Sequence, residues 1–231
     1  IEREERILKR VAAVATSEYF SKLHEKNGVK ILISASLVEL IENQGKVCGA
    51  RLESGLEIKA NLVICGIGIR PNQQLAIDAG LTADDGIIVT ESCLTSDPNI
   101  LAAGDCARFP YEGDLIRLES VQNSIDQAET AAVTLFGKKA VYKPYPWFWS
   151  DQFDVKLQIA GLNAGFDRTI TRAGKRAGSE STWYFKEGKL LAVDAINDAT
   201  SFLIAKRLLE KEEQPEMSRF EDPSFDVKAL L

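Results

Sequence analysis

A chain of 231 residues, 45% hydrophobic and 27% charged, can bury one large core or two small ones and has an ordinary globular composition. Its net charge of −6 argues against a nucleic-acid partner, which calls for a basic surplus, and no apolar run reaches the ~20 residues of a membrane span. Four dispersed cysteines (Cys48, Cys65, Cys93, Cys106) and a single histidine, His24, do not gather the about four ligands that zinc takes, so no metal site is expected; they read as buried thiols in a reducing cytoplasm and a surface histidine.

The chain opens on Ile1 rather than Met, with no signal peptide, which reads as a truncated or processed start. Residues 4–27 have the pattern of a helix, broken near Ala15-Thr16 and stopped by Asn27-Gly28. Short strands follow at Lys30–Ser34, Ser36–Glu42, Lys46–Leu52 and Leu56–Lys59, a meander turned at Asn43-Gln44-Gly45 and Ser54-Gly55. The run from Leu62 to Gly68 is apolar and bounded by glycine, the mark of a buried strand. A short helix at Gln73–Ala79 and a strand at Ile87–Thr90 come next. The turn Ser96-Asp97-Pro98-Asn99 leads into a short strand, Ile100–Ala103, which ends at Gly104-Asp105. A loop precedes a helix from Ser124 to Phe136, with Ile125, Ala128, Ala131, Ala132 and Leu135 at helical spacing. Two prolines in Lys143-Pro144-Tyr145-Pro146 mark a domain boundary. Beyond it lie strands at Val155–Leu162, Arg168–Arg172, Thr182–Lys186 and Leu190–Ile196, then a helix over Ala199–Lys211 with Phe202, Ala205, Leu208 and Leu209 inward. A polar tail with a small apolar end closes the chain.

The string Thr95-Ser96-Asp97-Pro98-Asn99-Ile100-Leu101-Ala102-Ala103-Gly104-Asp105 carries the strongest chemical signal. Ligands of open α/β sheets bind just beyond the strand ends. Gly104 lets backbone approach a ligand closely, and Asp105 can accept a hydrogen bond from a hydroxyl there. Taken alone, Gly-Asp also fits a plain strand end. The whole string resembles the second flavin-binding motif of the two-dinucleotide-domain flavoprotein reductases. Arg117-Leu118-Glu119-Ser120-Val121-Gln122-Asn123 resembles their flavin-facing loop, and Pro146-Trp147-Phe148-Trp149-Ser150-Asp151-Gln152 the start of their C-terminal domain. The three in this order are similar to the putidaredoxin/rhodocoxin reductase-like group of FAD-dependent ferredoxin reductases, over nearly the whole chain.

That resemblance implies a mixed fold, α/β followed by α+β. Residues 1–68 would be the second half of an NAD-binding domain, 69–143 the closing segment of an FAD-binding domain, and 144–231 an α+β reductase domain with an antiparallel sheet. It implies FAD and NAD as cofactors, NADH as substrate, and a small iron–sulfur protein (a ferredoxin) as electron acceptor. Gly104, Asp105, Glu119, Ser120, Val121 and Gln122 would face the flavin, and no side chain need act as a catalytic acid, base or nucleophile, because the flavin carries the hydride. Cys65-Gly66-Ile67-Gly68-Ile69-Arg70-Pro71-Asn72 resembles the family's passage from the NAD to the FAD domain, so Gly66 and Gly68 would lie near the dinucleotide. Glu2 falls where a Rossmann strand ends and would bind ribose hydroxyls of NAD; otherwise it is one of several solvated charges. Trp149 is either an aromatic facing flavin and partner or a core tryptophan at a domain entrance. Arg168, Arg172, Lys175 and Arg176 would form a basic docking face for an acidic ferredoxin, or else a solvated strand edge.

One departure from the family is large: neither G-x-G-x-x-G loop is present. The chain is therefore expected to be a portion of such a reductase and inactive alone. An NADH oxidase, a rubredoxin reductase or a monodehydroascorbate reductase of the same architecture, and a non-catalytic interaction module, are the alternatives.

Overall fold

The computed structural model of the protein describes residues 1–230. The helix expected from residue 4 forms only as α1, Val14–Lys26, because Leu8 takes a φ of 57°, a left-handed conformation that no right-handed helix tolerates. The preceding residues run beside 32–35 instead: Glu2 N–H donates to Leu32 O at 2.7 Å and Ser34 N–H to Glu4 O at 2.8 Å. The strand expected at 30–34 does not develop beyond these bonds. An antiparallel meander follows, β1 (Leu37–Asn43), β2 (Lys46–Leu52) and β3 (Glu57–Lys59). Its first turn places Gln44 and Gly45 at φ 52° and 75°, the left-handed pair that matches the twist of a two-residue hairpin.

The run 62–68, expected as a buried strand, is neither. None of the three sheets includes it, and Leu62, Ile64 and Ile67 are 75%, 87% and 94% exposed. A parallel strand is held by neighbours that take its N–H and C=O groups, and among the described residues that segment has none. A short helix α2 (Gln74–Asp78) leads to a small sheet of β4 (Ile87–Ile88), β5 (Ala107–Tyr111) and β6 (Asp114–Ile116), with β4 parallel to β5 and β6 antiparallel to it. The sequence had read β5 and β6 as loop. Pro110 lies beyond the two residues of β5 that pair with β4, where no β4 bond is lost. The expected strand at 100–103 shrinks to one bridge between Leu94 and Leu101.

Helix α3 (Val121–Leu135) starts three residues before the expected point, because Ser120 caps it by accepting the Asn123 N–H at 3.1 Å. Its buried face is Asn123, Gln127 and Ala131. The apolar positions Ile125, Ala128, Ala132 and Leu135 point to solvent, a correction to the expected packing stripe.

The C-terminal unit is an antiparallel sheet of β7 (Trp147–Gln152), β8 (Val155–Gly161), β9 (Arg168–Ala173), β10 (Glu180–Lys186) and β11 (Lys189–Ile196), in the order β7-β8-β11-β10-β9. Alternation, shifted once by a bulge at Tyr184/Phe185, gives it two buried faces. Trp183, Phe185, Val193 and Ala195 pack on Phe202, Ile204, Ala205 and Leu208 of α4 (Ala199–Glu210). On the other face, Val155, Leu157 and Ile196 meet Phe20 of α1, and Tyr184 and Ala192 meet Ala13. The last residues are not a free polar tail. They form α5 (Met217–Glu221) and a 3-10 helix, Val227–Leu230, and Phe220 is buried with its ring centroid 4.6 Å from Trp183. Burying that one ring contributes about 1.5–3 kcal/mol, enough to fix a short helix that propensity alone would not hold. Among the described residues no helix is long and apolar enough to cross a membrane.

Candidate functional site

The bend at Gly104-Asp105 lies against the first two turns of α3. Gly104 is buried with φ 83°, and a Cβ there would stand 3.2 Å from Ser124 Oγ, so any other residue would be strained by the backbone angle and would crowd Ser124. Its N–H donates to Gln127 Oε1 at 2.7 Å. Asp105 is exposed, and its carboxylate accepts from Ser124 Oγ at 3.3 Å. The Arg117 side chain, only 10% exposed, donates to Asp105 O at 3.2 Å and pairs with Glu119 at 2.8 Å. One guanidinium thus ties the Gly-Asp bend to the loop that starts α3.

The start of α3 is open. With Asn123 N–H taken by Ser120 and Ser124 N–H by Ser120 O, the N–H groups of Val121 and Gln122 are the unbonded ones, as at any helix start. They and the helix dipole favour negative charge beside the Asp105 bend. Beneath, Asn123 Nδ2 donates to Leu118 O at 3.0 Å and Tyr142 OH donates to Asn123 Oδ1 at 2.8 Å. Burial, with Asp126 and Cys93 nearby, raises the Tyr142 phenol well above its ordinary range, so it stays a neutral donor. The structure therefore brings Gly104, Asp105, Glu119, Ser120, Val121 and Gln122 to one place. The tight glycine bend beside the exposed Asp105 carboxylate and the open N–H groups of Val121 and Gln122 suits a polar ligand edge such as a flavin's.

The other expected residues stand elsewhere. Glu2 accepts the Glu4 N–H at 2.9 Å and is half-buried beside 32–35. Gly66 and Gly68 lie on the exposed 62–68 segment, with open space where a Cβ would be. Trp149 is 44% exposed, its ring centroid 5.4 Å from that of Trp147. The basic cluster is largely engaged. Arg172 donates to the carbonyls of Phe220, Asp222 and Phe225 at 2.5, 2.8 and 2.5 Å, Arg168 pairs with Glu221, and Lys175 pairs with Asp226 at 3.1 Å. Arg176 is exposed. Two further corrections concern single residues. Cys48 and Cys65 are exposed, Cys106 is partly so, and only Cys93 is buried. His24 is half-buried, with Nε2 2.8 Å from Gln152 Oε1 and its ring edge-on to Phe153, because α1 lies on the C-terminal sheet.

Sequence reasoning passed over Gln127 and Asp194. Asn123 and Gln127, polar residues four apart on a helix whose inner face should be apolar, were a legible signal for the first. Asp194 is 1% exposed in β11; Thr16 Oγ1 donates to it at 2.7 Å, Tyr184 OH donates to it as well, and Tyr184 OH accepts the Ala13 N–H at 2.6 Å. Burial outweighs these bonds and pushes its carboxyl up to about 6.

Residues 1–132 match the pyridine nucleotide-disulphide oxidoreductase family and residues 147–231 match the reductase C-terminal family. Rhodocoxin reductase of Rhodococcus erythropolis is 38% identical over 233 residues, covering 100% of this chain and 55% of the relative. Putidaredoxin reductase CamA of Pseudomonas putida is 37% identical, covering 98% of this chain and 54% of the relative. Among solved structures, the ferredoxin reductase for the CYP199A2 system of Rhodopseudomonas palustris superposes with a TM-score of 0.94 at 38% identity, over 99% of this chain and 57% of that one. The reductase of a covalent putidaredoxin reductase–putidaredoxin complex gives 0.93 at 36%, over 99% and 56%. The chain spans about half the length of the curated relatives it matches.

Proposed function

The chain belongs to the pyridine nucleotide-disulphide oxidoreductase family, and on that premise we propose that it works as the C-terminal part of a cytoplasmic, NADH-dependent, FAD-containing ferredoxin reductase. The observation that carries this reading is the Gly104-Asp105 bend clasped against the open start of α3. In this reading residues 1–68 belong to the NAD-binding domain, 69–143 to the FAD-binding domain and 144–231 to the reductase domain. Helix α1 joins the first to the last, since Phe20 is buried against β8 and β11.

Bound FAD would accept a hydride from NADH and return the electrons singly to an iron–sulfur protein. Asp105 would accept a hydrogen bond from a flavin-chain hydroxyl, and its exposure leaves its second oxygen available for one. Val121 and Gln122 N–H groups would face the ring edge where negative charge develops, which a helix start stabilises. Gly66 and Gly68 would let the dinucleotide approach, and Glu2 would take ribose hydroxyls. Trp149 would stand toward flavin and partner. With Arg172, Arg168 and Lys175 held by α5 and the tail, Arg176 is the cation of that cluster left to attract an acidic ferredoxin.

The test is made on the full-length polypeptide that carries these residues. It should purify yellow, be reduced by NADH in preference to NADPH, and pass electrons faster to a [2Fe–2S] ferredoxin than to rubredoxin or oxygen. Glu2→Ala should narrow the NADH preference in kcat/KM. Protein that binds no flavin would overturn the reading, and an unchanged preference would reduce Glu2 to a surface charge.

A further inference from the structure

We propose that Gln127 is a positioning residue of the flavin site, acting through Gly104; the inference rests on the reading of that bend as a flavin site. Gln127 lies on the inner face of α3 and is fully buried. Gly104 N–H can only donate, so the carbonyl oxygen of the amide must face it, and the 2.7 Å bond fixes which way the amide points. That orientation leaves Nε2 buried without a partner. A helix face packed for stability alone would carry leucine or methionine there and leave no orphaned donor. The bond to Gly104 is what the amide supplies and an apolar side chain would not.

The surroundings make the clamp rigid. The backbone carbonyl of Gln127 accepts from Cys93 Sγ at 3.5 Å, and Cys93 O in turn accepts the Ala102 N–H at 3.1 Å, so the segment leading into the bend is tied to the same turn of α3. One turn earlier on the helix, the single Ser124 hydroxyl proton is shared between the Asp105 carboxylate at 3.3 Å and Ser120 O at 3.2 Å. Ser124 and Gln127 are three apart on a helix and therefore adjacent in space. Together they hold the bend at two points, side chain and backbone, and Gly104 at φ 83° could not keep that geometry by its own preference. With the Gly104 bond gone, Asp105 would sample positions from which its carboxylate no longer meets a hydroxyl in register.

The experiment measures FAD dissociation constants, the visible circular dichroism of the bound flavin, and apoprotein melting for full-length parent, Gln127→Met, Gln127→Glu, Asp105→Asn and the Gln127→Met/Asp105→Asn pair. Gln127→Met should weaken FAD about tenfold and alter the flavin dichroism. Gln127→Glu, which keeps an oxygen facing Gly104, should stay within about threefold of the parent. The double variant should bind no more weakly than Asp105→Asn alone, since both changes act on one contact. If Gln127→Met does not fold, Gln127→Asn withdraws the same amide by one methylene and is read in the same cycle. A parent without flavin sinks the functional reading and this inference together. A parent with flavin, and Gln127 variants that lower apoprotein melting but leave dissociation constant and dichroism unchanged, or effects additive with Asp105→Asn, overturns the inference alone.

Discussion

At the scale of single residues, two carboxylates show how surroundings set a role. Asp105 is exposed and accepts from Ser124, and its second carboxylate oxygen can still accept a ligand hydroxyl. In the full-length protein Asp105→Ala should lose one charge-assisted hydrogen bond, about 1.5–3 kcal/mol or roughly ten- to hundredfold in FAD affinity; a variant with the parent's dissociation constant would take Asp105 out of the site. Asp194 is the opposite case. Burial raises its carboxyl from 3.8 to about 6, against the lowering by Tyr184, Thr16 and Ala13. The folded state therefore binds its proton more tightly than the unfolded chain. The favourable term is complete below pH ~4 and is lost as pH rises to ~6, by up to about 3 kcal/mol. Urea unfolding at pH 4 and pH 7 should show the parent losing stability relative to Asp194→Asn across that window. Equal changes in both proteins would mean that Asp194 titrates as an ordinary carboxylate.

At the scale of elements, the tail is held by Arg172, one of the four residues expected at the docking face. Arg168, Ile170 and Arg172 alternate to one face of β9, opposite Phe185, Trp183 and Ser181 of β10, and that is the face on which Phe220 is buried. A guanidinium has five donors in a fixed fork, and Arg172 uses them on three tail carbonyls. Arg172→Met should cost about 1.5–3 kcal/mol and open residues 217–230 to limited proteolysis; an unchanged urea midpoint and cleavage pattern would return Arg172 to the docking surface. Four of the five C-terminal strands were legible because they bury residues on both faces within this chain: Thr182–Lys186 and Leu190–Ile196 became β10 and β11 nearly unchanged, while the edge strand β7 was not expected. The Gly-Asp bend and its loop were read through their resemblance to a flavin-binding motif, whereas the Ser120 cap, which starts α3 three residues early, was missed. The strand at 62–68 and the stripe of α3 failed for one reason. Periodicity reports that a face wants burial, and says nothing about whether the partner lies in the same chain. The tail failed for the converse reason, since Phe220 and Arg172 are joined only by tertiary contact.

At the scale of the molecule, the apolar surface is divided unevenly. The C-terminal sheet is covered on both faces, while Leu62, Ile64, Ile67, Leu75, Leu135 and Phe136 are between 70% and 94% exposed. Isolated apolar side chains on a surface need no explanation, but a set this exposed, concentrated in residues 62–75 and at the end of α3, marks surface suited to contact with further protein. The two halves of the proposed cofactor chemistry divide the same way. The Gly-Asp bend is formed within this chain, but the sequence contains no G-x-G-x-x-G string, the pattern whose glycine-rich turn at a helix start binds a pyrophosphate. Contacts to one hydroxyl and one ring edge, without the pyrophosphate, leave most of a dinucleotide's binding free energy unmade. The 231-residue chain by itself should therefore fold around its C-terminal sheet, enhance the fluorescence of a dye that reports exposed apolar surface, and give no calorimetric FAD binding at micromolar concentration. Addition of the remaining half of a reductase of this family, as a separate polypeptide, should quench the dye signal and restore flavin binding. Micromolar or tighter FAD binding by the 231 residues alone would mean that the bend at Gly104-Asp105 and the start of α3 suffice to hold the cofactor, and that the pyrophosphate is bound by a device other than a glycine-rich loop.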